Sequence, residues 1–205
     1  MARLWIATAN TKKRTELIRL LEARAGLEIK TLGDLPEKLD IVEDQPDFAG
    51  NAAKKASTLA LATGEHALGD DSGLCVDALG GKPGVLSARY GGAKASDADR
   101  IAKLLKELDG VEDRTARFVC HLALAGPDGS IIASFEETCE GSILTAPRGK
   151  RGFGYDPVFA PEELEFRDPP PSFAELSAEE KDRLSHRGKA LRKLAAHLHT
   201  NPLPS

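Results

Sequence analysis

The sequence predicts an α/β fold built on a mixed sheet. Strand-like apolar runs alternate with helical periodicity over the first half of the chain, and a later pair of β-rich runs flanks a Pro-Asp-Gly turn. The first pattern sets strands under covering helices; the second is an antiparallel hairpin. At 205 residues the chain fits one domain, with or without a lobe, and can bury a sizeable core without disulfide or metal staples.

Leu4-Trp5-Ile6-Ala7 reads as a buried strand, followed at once by a helix in which Leu17, Ile18, Leu20 and Leu21 make one apolar face. Residues 28–32 form a second strand. Residues 33–47, with Pro36, Pro46 and six Asp or Glu, form an acidic loop holding a short strand at 40–42. From Phe48 to Thr63 the run Ala52, Ala53, Ala56, Leu59 and Ala60 has helical spacing, and Gly64 stops it. Ala67-Leu68-Gly69 is a short strand leading into Asp70-Asp71-Ser72-Gly73, residues 74–79 continue extended, and 80–84 are a loop by composition. Asp97 is the expected N-cap of a helix ending near Leu108, closed by Asp109-Gly110. Residues 115–124 and 130–139 form the hairpin across Pro127-Asp128-Gly129, with a third strand at 141–145. Residues 146–173, rich in Pro, Gly and aromatics, read as an ordered functional loop, and Ser177-Ala178-Glu179-Glu180 is a capping box opening the last helix.

Composition excludes several function classes. A hydrophobic share of 41% with 29% charged residues is that of a globular chain. A net charge of -4 makes a poor non-specific nucleic-acid binder, although local basic clusters still leave nucleotides open as ligands. No run approaches the roughly 18 apolar residues of a membrane span, and the apolar stretch at residues 4–7 is too short for a signal peptide. Cys75, Cys120 and Cys139 are odd in number, widely spaced and without a C-x-x-C pair, the pattern of reduced cytosolic thiols and no zinc site. His197 and His199 are expected in an exposed tail.

Four segments carry chemistry. Thr8-Ala9-Asn10-Thr11-Lys12-Lys13 joins a strand to a helix, where N-terminal amides, the helix dipole and two lysines make either a phosphate cradle or an ordinary N-cap with surface lysines. Asp70-Asp71-Ser72-Gly73 places adjacent carboxylates at a strand end. Buried, they need a partner such as a hard divalent cation; exposed, the same residues make a solvated turn. Glu43, flanked by Asp40, Asp44 and Asp47, offers a second carboxylate or belongs to a charged surface loop. Arg151-Gly152-Phe153-Gly154-Tyr155-Asp156 sets glycines beside rings, which suits a planar ligand or a structural turn. Lys181 with Ser185-His186-Arg187-Gly188 interrupts a helical pattern, and reads as a binding element or a charged helix face.

Taken in order, six motifs resemble the Ham1/inosine triphosphatase family over about residues 3–197. They are Thr8-Ala9-Asn10-x-x-Lys13, Phe48-x-x-Asn51-Ala52-x-x-Lys55-Ala56, Asp70-Asp71-Ser72-Gly73-Leu74, Pro83-Gly84-x-x-Ser87-Ala88-Arg89-Tyr90, Gly152-Phe153-Gly154-Tyr155-Asp156-Pro157 and Ser185-His186-Arg187-Gly188. The resemblance implies that residues 1–205 form a single nucleoside-triphosphate pyrophosphatase domain. It would have two lobes, a long mixed central sheet flanked by helices, and an active-site cleft between the lobes. It also implies a Mg2+-dependent homodimer that splits deaminated purine nucleoside triphosphates into monophosphate and pyrophosphate, and the cysteine pattern places it as cytoplasmic.

Carried over by motif, Thr8, Ala9, Asn10, Thr11, Lys12 and Lys13 hold the phosphates, and Asp71 takes the proton from water and ligates the metal with Glu43. Ser72 and Lys181 meet substrate, and Phe153, Gly154, Tyr155, Asp156, His186 and Arg187 form the base pocket. The chain departs from the family pattern at Ala9, where many relatives have Gly, and at Gly50, where many carry Glu. Asp44 is the alternative to Glu43 as second metal ligand. Competing readings are a Maf-like pyrophosphatase of related fold and a nucleotide-binding regulatory module without turnover.

Overall fold

The structure is a computed structural model that describes residues 2–25, 27–92 and 94–204, with residues 22–25 described by their backbone alone. Strands β1 (Arg3–Ala7) and β2 (Glu28–Thr31) enclose helix α1 (Thr11–Ala25) in the chain. Next come α2 (Phe48–Thr63), β3 (Ala67–Val76), α3 (Asp97–Glu107), β4 (Thr115–Ala125), β5 (Ile131–Ile143), β6 (Phe159–Pro161), α4 (Ala178–Leu184) and α5 (His186–Thr200). Among the described residues six strands pair in the order β2-β1-β3-β4-β5-β6. β1 runs parallel to β2, with Leu4 opposite Ile29, and to β3, with Ile6 opposite Leu68, whereas β5 and β6 are antiparallel, with Ser142 opposite Ala160. The sheet is therefore mixed, as the sequence predicts.

The chain divides into two compact units: Met1–Asp71 with Cys120–Glu137 and Ala190–Ser205 make the first, and Ser72–Val119 with Thr138–Lys189 the second. In the first unit β1 is apolar almost throughout because both of its faces are covered. Leu4 and Ile6, with Leu68 and Cys120, Leu122 and Leu124, pack against Leu17 and Leu21 of α1 and Leu191, Leu194 and Leu198 of α5. Trp5 and Ala7, with Ala67, Ala123 and Ala125, pack against Ala52, Ala56, Leu59 and Ala60 of α2. The alternation of strand side chains thus sorts one run of residues into two separate cores.

The second unit has its own core. Leu74 and Val76 of β3 meet Ile101 and Leu104 of α3 and an aromatic group, in which Phe118 lies edge-on to Phe159 at 4.7 Å and Phe159 is tilted against Phe173 at 5.1 Å.

Several elements differ from expectation. Residues 40–42 are not a strand, and the acidic loop carries no regular structure from 38 to 44. β3 is continuous through Asp70-Asp71-Ser72-Gly73, so the solvated-turn reading of that segment is excluded. The N-cap of α3 is Ser96, not Asp97: its hydroxyl accepts from Asp99 N at 3.2 Å while the Asp99 carboxylate accepts from Ser96 N at 2.8 Å, a reciprocal box that starts the helix at Asp97 itself.

The strand expected at 141–145 is the end of β5, kept extended by pairing with β6. The helical pattern is interrupted where the sequence predicts, at Ser185-His186-Arg187-Gly188: Ser185 turns extended (φ -67, ψ 151), which ends α4, and its hydroxyl then caps α5 by accepting from Gly188 N at 3.1 Å. His197 is half-buried, its ring edge-on to Phe135 with the centres 5.6 Å apart, rather than free in a tail. Cys75, Cys120 and Cys139 form no disulfide. Among the described residues no helix is long and apolar enough to cross a membrane.

Candidate active site

The two carboxylates of β3 point to opposite faces of the strand and find different partners. Asp70, 1% exposed, accepts from Lys13 Nζ at 2.9 Å and from the Cys120 thiol at 3.6 Å. Asp71 Oδ1 accepts from Lys55 Nζ at 2.9 Å, and its Oδ2 accepts from Asn51 Nδ2 at 3.1 Å. Lys55 also donates to the Asp70 carbonyl at 3.0 Å and lies 2.6 Å from Glu43 Oε1.

Asn51 and Lys55 stand one turn apart on α2, and they reach β3 because the helix backbone rests on the strand at Gly69. A Cβ there would stand 2.1 Å from the Ala52 carbonyl oxygen. Asn51 also works in the other direction. Its Oδ1 accepts from Gln45 N at 3.0 Å and so moors the acidic loop that presents Glu43. Asp44 points elsewhere, to Lys54 at 2.7 Å on the exposed side.

Electrostatics here follow burial and charge. Burial raises the Asp71 carboxyl above the ordinary carboxylate range, against the opposing pull of the Lys55 ammonium. Burial would lower Lys55, but Asp71 and Glu43 outweigh it and hold the ammonium charged above its usual range. Two carboxylates therefore converge on one cation. That donor set, all oxygen, suits a hard ion such as Mg2+, which takes one or two carboxylates and completes its shell with water and phosphate oxygens. Among the described residues no group of three or more His, Cys, Asp or Glu forms a larger cluster.

The Thr8–Lys13 segment lies between β1 and α1. Asn10 Oδ1 accepts from Lys12 N at 3.0 Å and Lys13 N at 3.1 Å, so Asn10 is the cap of the helix, and Asn10 N in turn donates to Thr8 Oγ1 at 3.3 Å. Thr8 is buried, whereas Ala9, Asn10, Thr11 and Lys12 are exposed. The exposed residues and the positive end of the α1 dipole make a surface fit for an anion.

The second unit holds the remaining residues. Asp156, 4% exposed, accepts at Oδ2 from Phe153 N at 2.8 Å and from Lys181 Nζ at 2.7 Å. Its carboxylate thus fixes both the loop and the lysine. Lys181 Nζ lies 4.7 Å and the Arg187 guanidinium 6.0 Å from the centre of the Phe153 ring, so two cations border that ring. Arg187 Nη2 donates to Ser72 Oγ at 2.7 Å, and His186 stacks on Phe118 at 4.8 Å with the planes 7° apart.

α4 and α5 bring Lys181 and Arg187 together only because Gly188 lets their backbones touch: a Cβ there would meet the Asp182 carbonyl oxygen at 1.8 Å. Tyr155 is buried with its hydroxyl donating to the Ser87 carbonyl at 3.0 Å, so it serves the loop from below.

The sequence alone points to no role for Asn51 or Lys55. The signal was present: they are polar residues at four-residue spacing, adjacent to Ala52 and Ala56 on the buried stripe of α2, and a buried polar pair needs partners.

Residues 4–197 match the Ham1 family. The dITP/XTP pyrophosphatase of Geobacillus kaustophilus is 51% identical over 197 residues, covering 95% of this chain and 93% of that protein. A HAM1 protein of known structure from Coxiella burnetii is 37% identical and superposes with a TM-score of 0.87, covering 98% of this chain and all of that one. The crystal structure of a nucleoside-triphosphatase, dITP/XTP pyrophosphatase, from Mycobacterium abscessus gives a TM-score of 0.73 at 43% identity, covering 94% and 97%.

Proposed function

We propose that this chain, which belongs to the Ham1 family, hydrolyses deaminated purine nucleoside triphosphates such as dITP and XTP to the monophosphate and pyrophosphate. Relatives bearing that activity in their names align with it nearly end to end. The observation in the molecule that best supports the reading is the cluster of Asp71, Lys55 and Glu43, because it sets a buried carboxylate beside a second acidic group, the oxygen donors that a hard divalent ion takes.

Asp71 accepts the proton of the attacking water, and its raised carboxyl makes it a better base than an exposed aspartate. Lys55 holds Asp71 ionised and in place, and Asn51 orients the second oxygen of the same carboxylate. Glu43 and Asp71 would hold a divalent ion, Mg2+, which when bound neutralises triphosphate charge and activates water. Lys12, Lys13, Thr8 and the start of α1 receive the phosphates, with Asp70 anchoring Lys13. Phosphoryl transfer asks mainly for such positioning and charge.

The base falls to the second unit. Phe153 stacks on the purine, and His186 and Arg187 address its polar edge. A guanidinium only donates, so it pairs with a 6-oxo oxygen and leaves adenine's 6-amino group unmatched. We read the working protein as a homodimer, as the family resemblance implies, and as cytoplasmic, as the cysteine pattern suggests.

The test is pyrophosphate release with Mg2+ on a panel of dITP, XTP, dATP and dGTP. The reading expects turnover of dITP and XTP with kcat/KM well above that for dATP, while the dGTP arm, which shares the 6-oxo group, reports on position 2 of the ring. Equal turnover of dATP and dITP, or none of any, overturns it.

A further inference from the structure

We propose that Asp97 is a positioning residue that sets the geometry of the loop Phe153–Asp156 and, through it, the preference for a 6-oxo purine. The proposal rests on the reading above that this loop meets the base. Asp97 is the first residue of α3, and the reading above gives it no part in proton transfer or phosphate binding. Its Oδ2 accepts from Gly154 N at 2.9 Å, although 57 residues separate the two in the chain. Its Oδ1 accepts from Arg100 Nη1 at 2.6 Å, and Arg100 Nε donates to the Ala88 carbonyl at 3.0 Å.

Beside that contact the Ser87 carbonyl accepts from the Tyr155 hydroxyl at 3.0 Å, while Ser87 Oγ accepts from Leu74 N at 2.9 Å. The hydrogen bonds close a ring: Gly154 to Asp97, Asp97 to Arg100, Arg100 to residue 88, and residue 87 back to Tyr155. One part of this ring is the Pro83–Tyr90 motif, to which neither the phosphate nor the base reading gives a role. Through Ser87 and Ala88 that motif ties the loop to β3 from beneath.

The ring has a consequence for recognition. The Gly154 amide is spent on Asp97, and the Phe153 amide on Asp156 at 2.8 Å, so two loop N–H groups face carboxylates rather than a base. Selectivity then belongs to side chains whose positions the loop sets, so a displaced loop is expected to weaken binding of the base and leave the chemical step at the phosphates unchanged. A carboxylate on an amide is also a charge-assisted bond, stronger than a neutral one.

The test compares Asp97→Ala with Asp97→Asn, the second keeping an oxygen acceptor for Gly154 N. With dITP, Asp97→Ala is expected to raise KM about tenfold or more, to leave kcat within about twofold, and to narrow the margin over dATP. Asp97→Asn is expected to restore most of both. Hydrogen exchange of the Gly154 amide in the substrate-free protein is expected to quicken in Asp97→Ala and to stay slow in Asp97→Asn.

A fall in kcat with KM and the dITP-to-dATP margin unchanged means a merely structural role and overturns the proposal, as does unchanged Gly154 exchange in Asp97→Ala. If the wild-type protein turns over neither dITP nor XTP, the functional reading fails and the claim on base preference fails with it, while the exchange measurement still decides the anchoring of the loop.

Discussion

Replacing Gly188 by Ala sets two principles against each other. Inside a helix that change ordinarily gains about 1 kcal/mol, because glycine loses more backbone freedom on folding. Here the added methyl would stand 1.8 Å from the Asp182 carbonyl oxygen and 2.8 Å from its carbon. Ordinary contact is near 3.4 Å, so α4 and α5 must part by more than 1 Å. The obstacle is backbone, which cannot rotate away as a side chain can.

Overpacking of this kind costs about 1–3 kcal/mol, and the upper end applies where no rotamer offers relief. After offsetting the propensity gain, a net loss of about 1–2 kcal/mol remains, or a fall in Tm of roughly 2–8 °C for a chain of this size. Because α4 carries Lys181 and α5 carries Arg187, the same displacement should raise KM for dITP. Thermal unfolding followed by circular dichroism, with steady-state kinetics on the same sample, measures both. An equal or higher Tm with unchanged KM would show that the helices do not touch at Gly188, and would refute the reasoning.

The remaining predictions concern charge. Lys13→Ala should weaken all nucleoside triphosphates by a similar factor and also lower stability, since it leaves the buried Asp70 carboxylate without its ammonium; a loss confined to one base would contradict the phosphate role. Activity should rise with pH as Asp71 ionises, and in Lys55→Met that acid limb should move to higher pH, because removal of the cation takes away what pulls the Asp71 carboxyl down; an unmoved limb, or one moved to lower pH, would contradict the pairing. Arg187→Ala should lower kcat/KM for dITP more than for dATP, by about 1–3 kcal/mol in the difference, read by competition between the two substrates; an unchanged ratio would mean that Arg187 does not read the base. Burial pushes the Cys139 thiol up to about 12, so in the folded protein at pH 8 iodoacetamide should leave Cys139 unmodified, and mass analysis showing its rapid alkylation would contradict that.

Much of this was legible in the sequence where local rules and tertiary packing agree. The continuous apolar run of β1 and the alanine stripe of α2 announce their elements because each is buried by the pattern it shows. The Asx-type start of α1 at Asn10 and the capping box at Ser177 and Glu180 are likewise local, and both appear in the structure. What stayed hidden is long-range. Asp70-Asp71-Ser72-Gly73 has turn composition, yet partners on α1, α2 and β4 keep it extended. The short strand expected at 40–42 does not form, and the loop just beyond it is held by Gln45 N donating to the Asn51 side chain, a contact no local pattern records. Which of the adjacent carboxylates Glu43 and Asp44 faces Lys55 is likewise set by packing alone: Glu43 meets Lys55 and Asp44 meets Lys54.

The central claim is that this protein splits a deaminated purine nucleoside triphosphate between its α- and β-phosphates, with Asp71 as proton acceptor. Product analysis tests it most directly. Wild-type protein with dITP and Mg2+ is expected to yield the monophosphate and pyrophosphate in equal amounts, and Asp71→Asn to fold normally while releasing neither at a comparable rate. Formation of the diphosphate with inorganic phosphate, or undiminished pyrophosphate release by Asp71→Asn, would contradict the account.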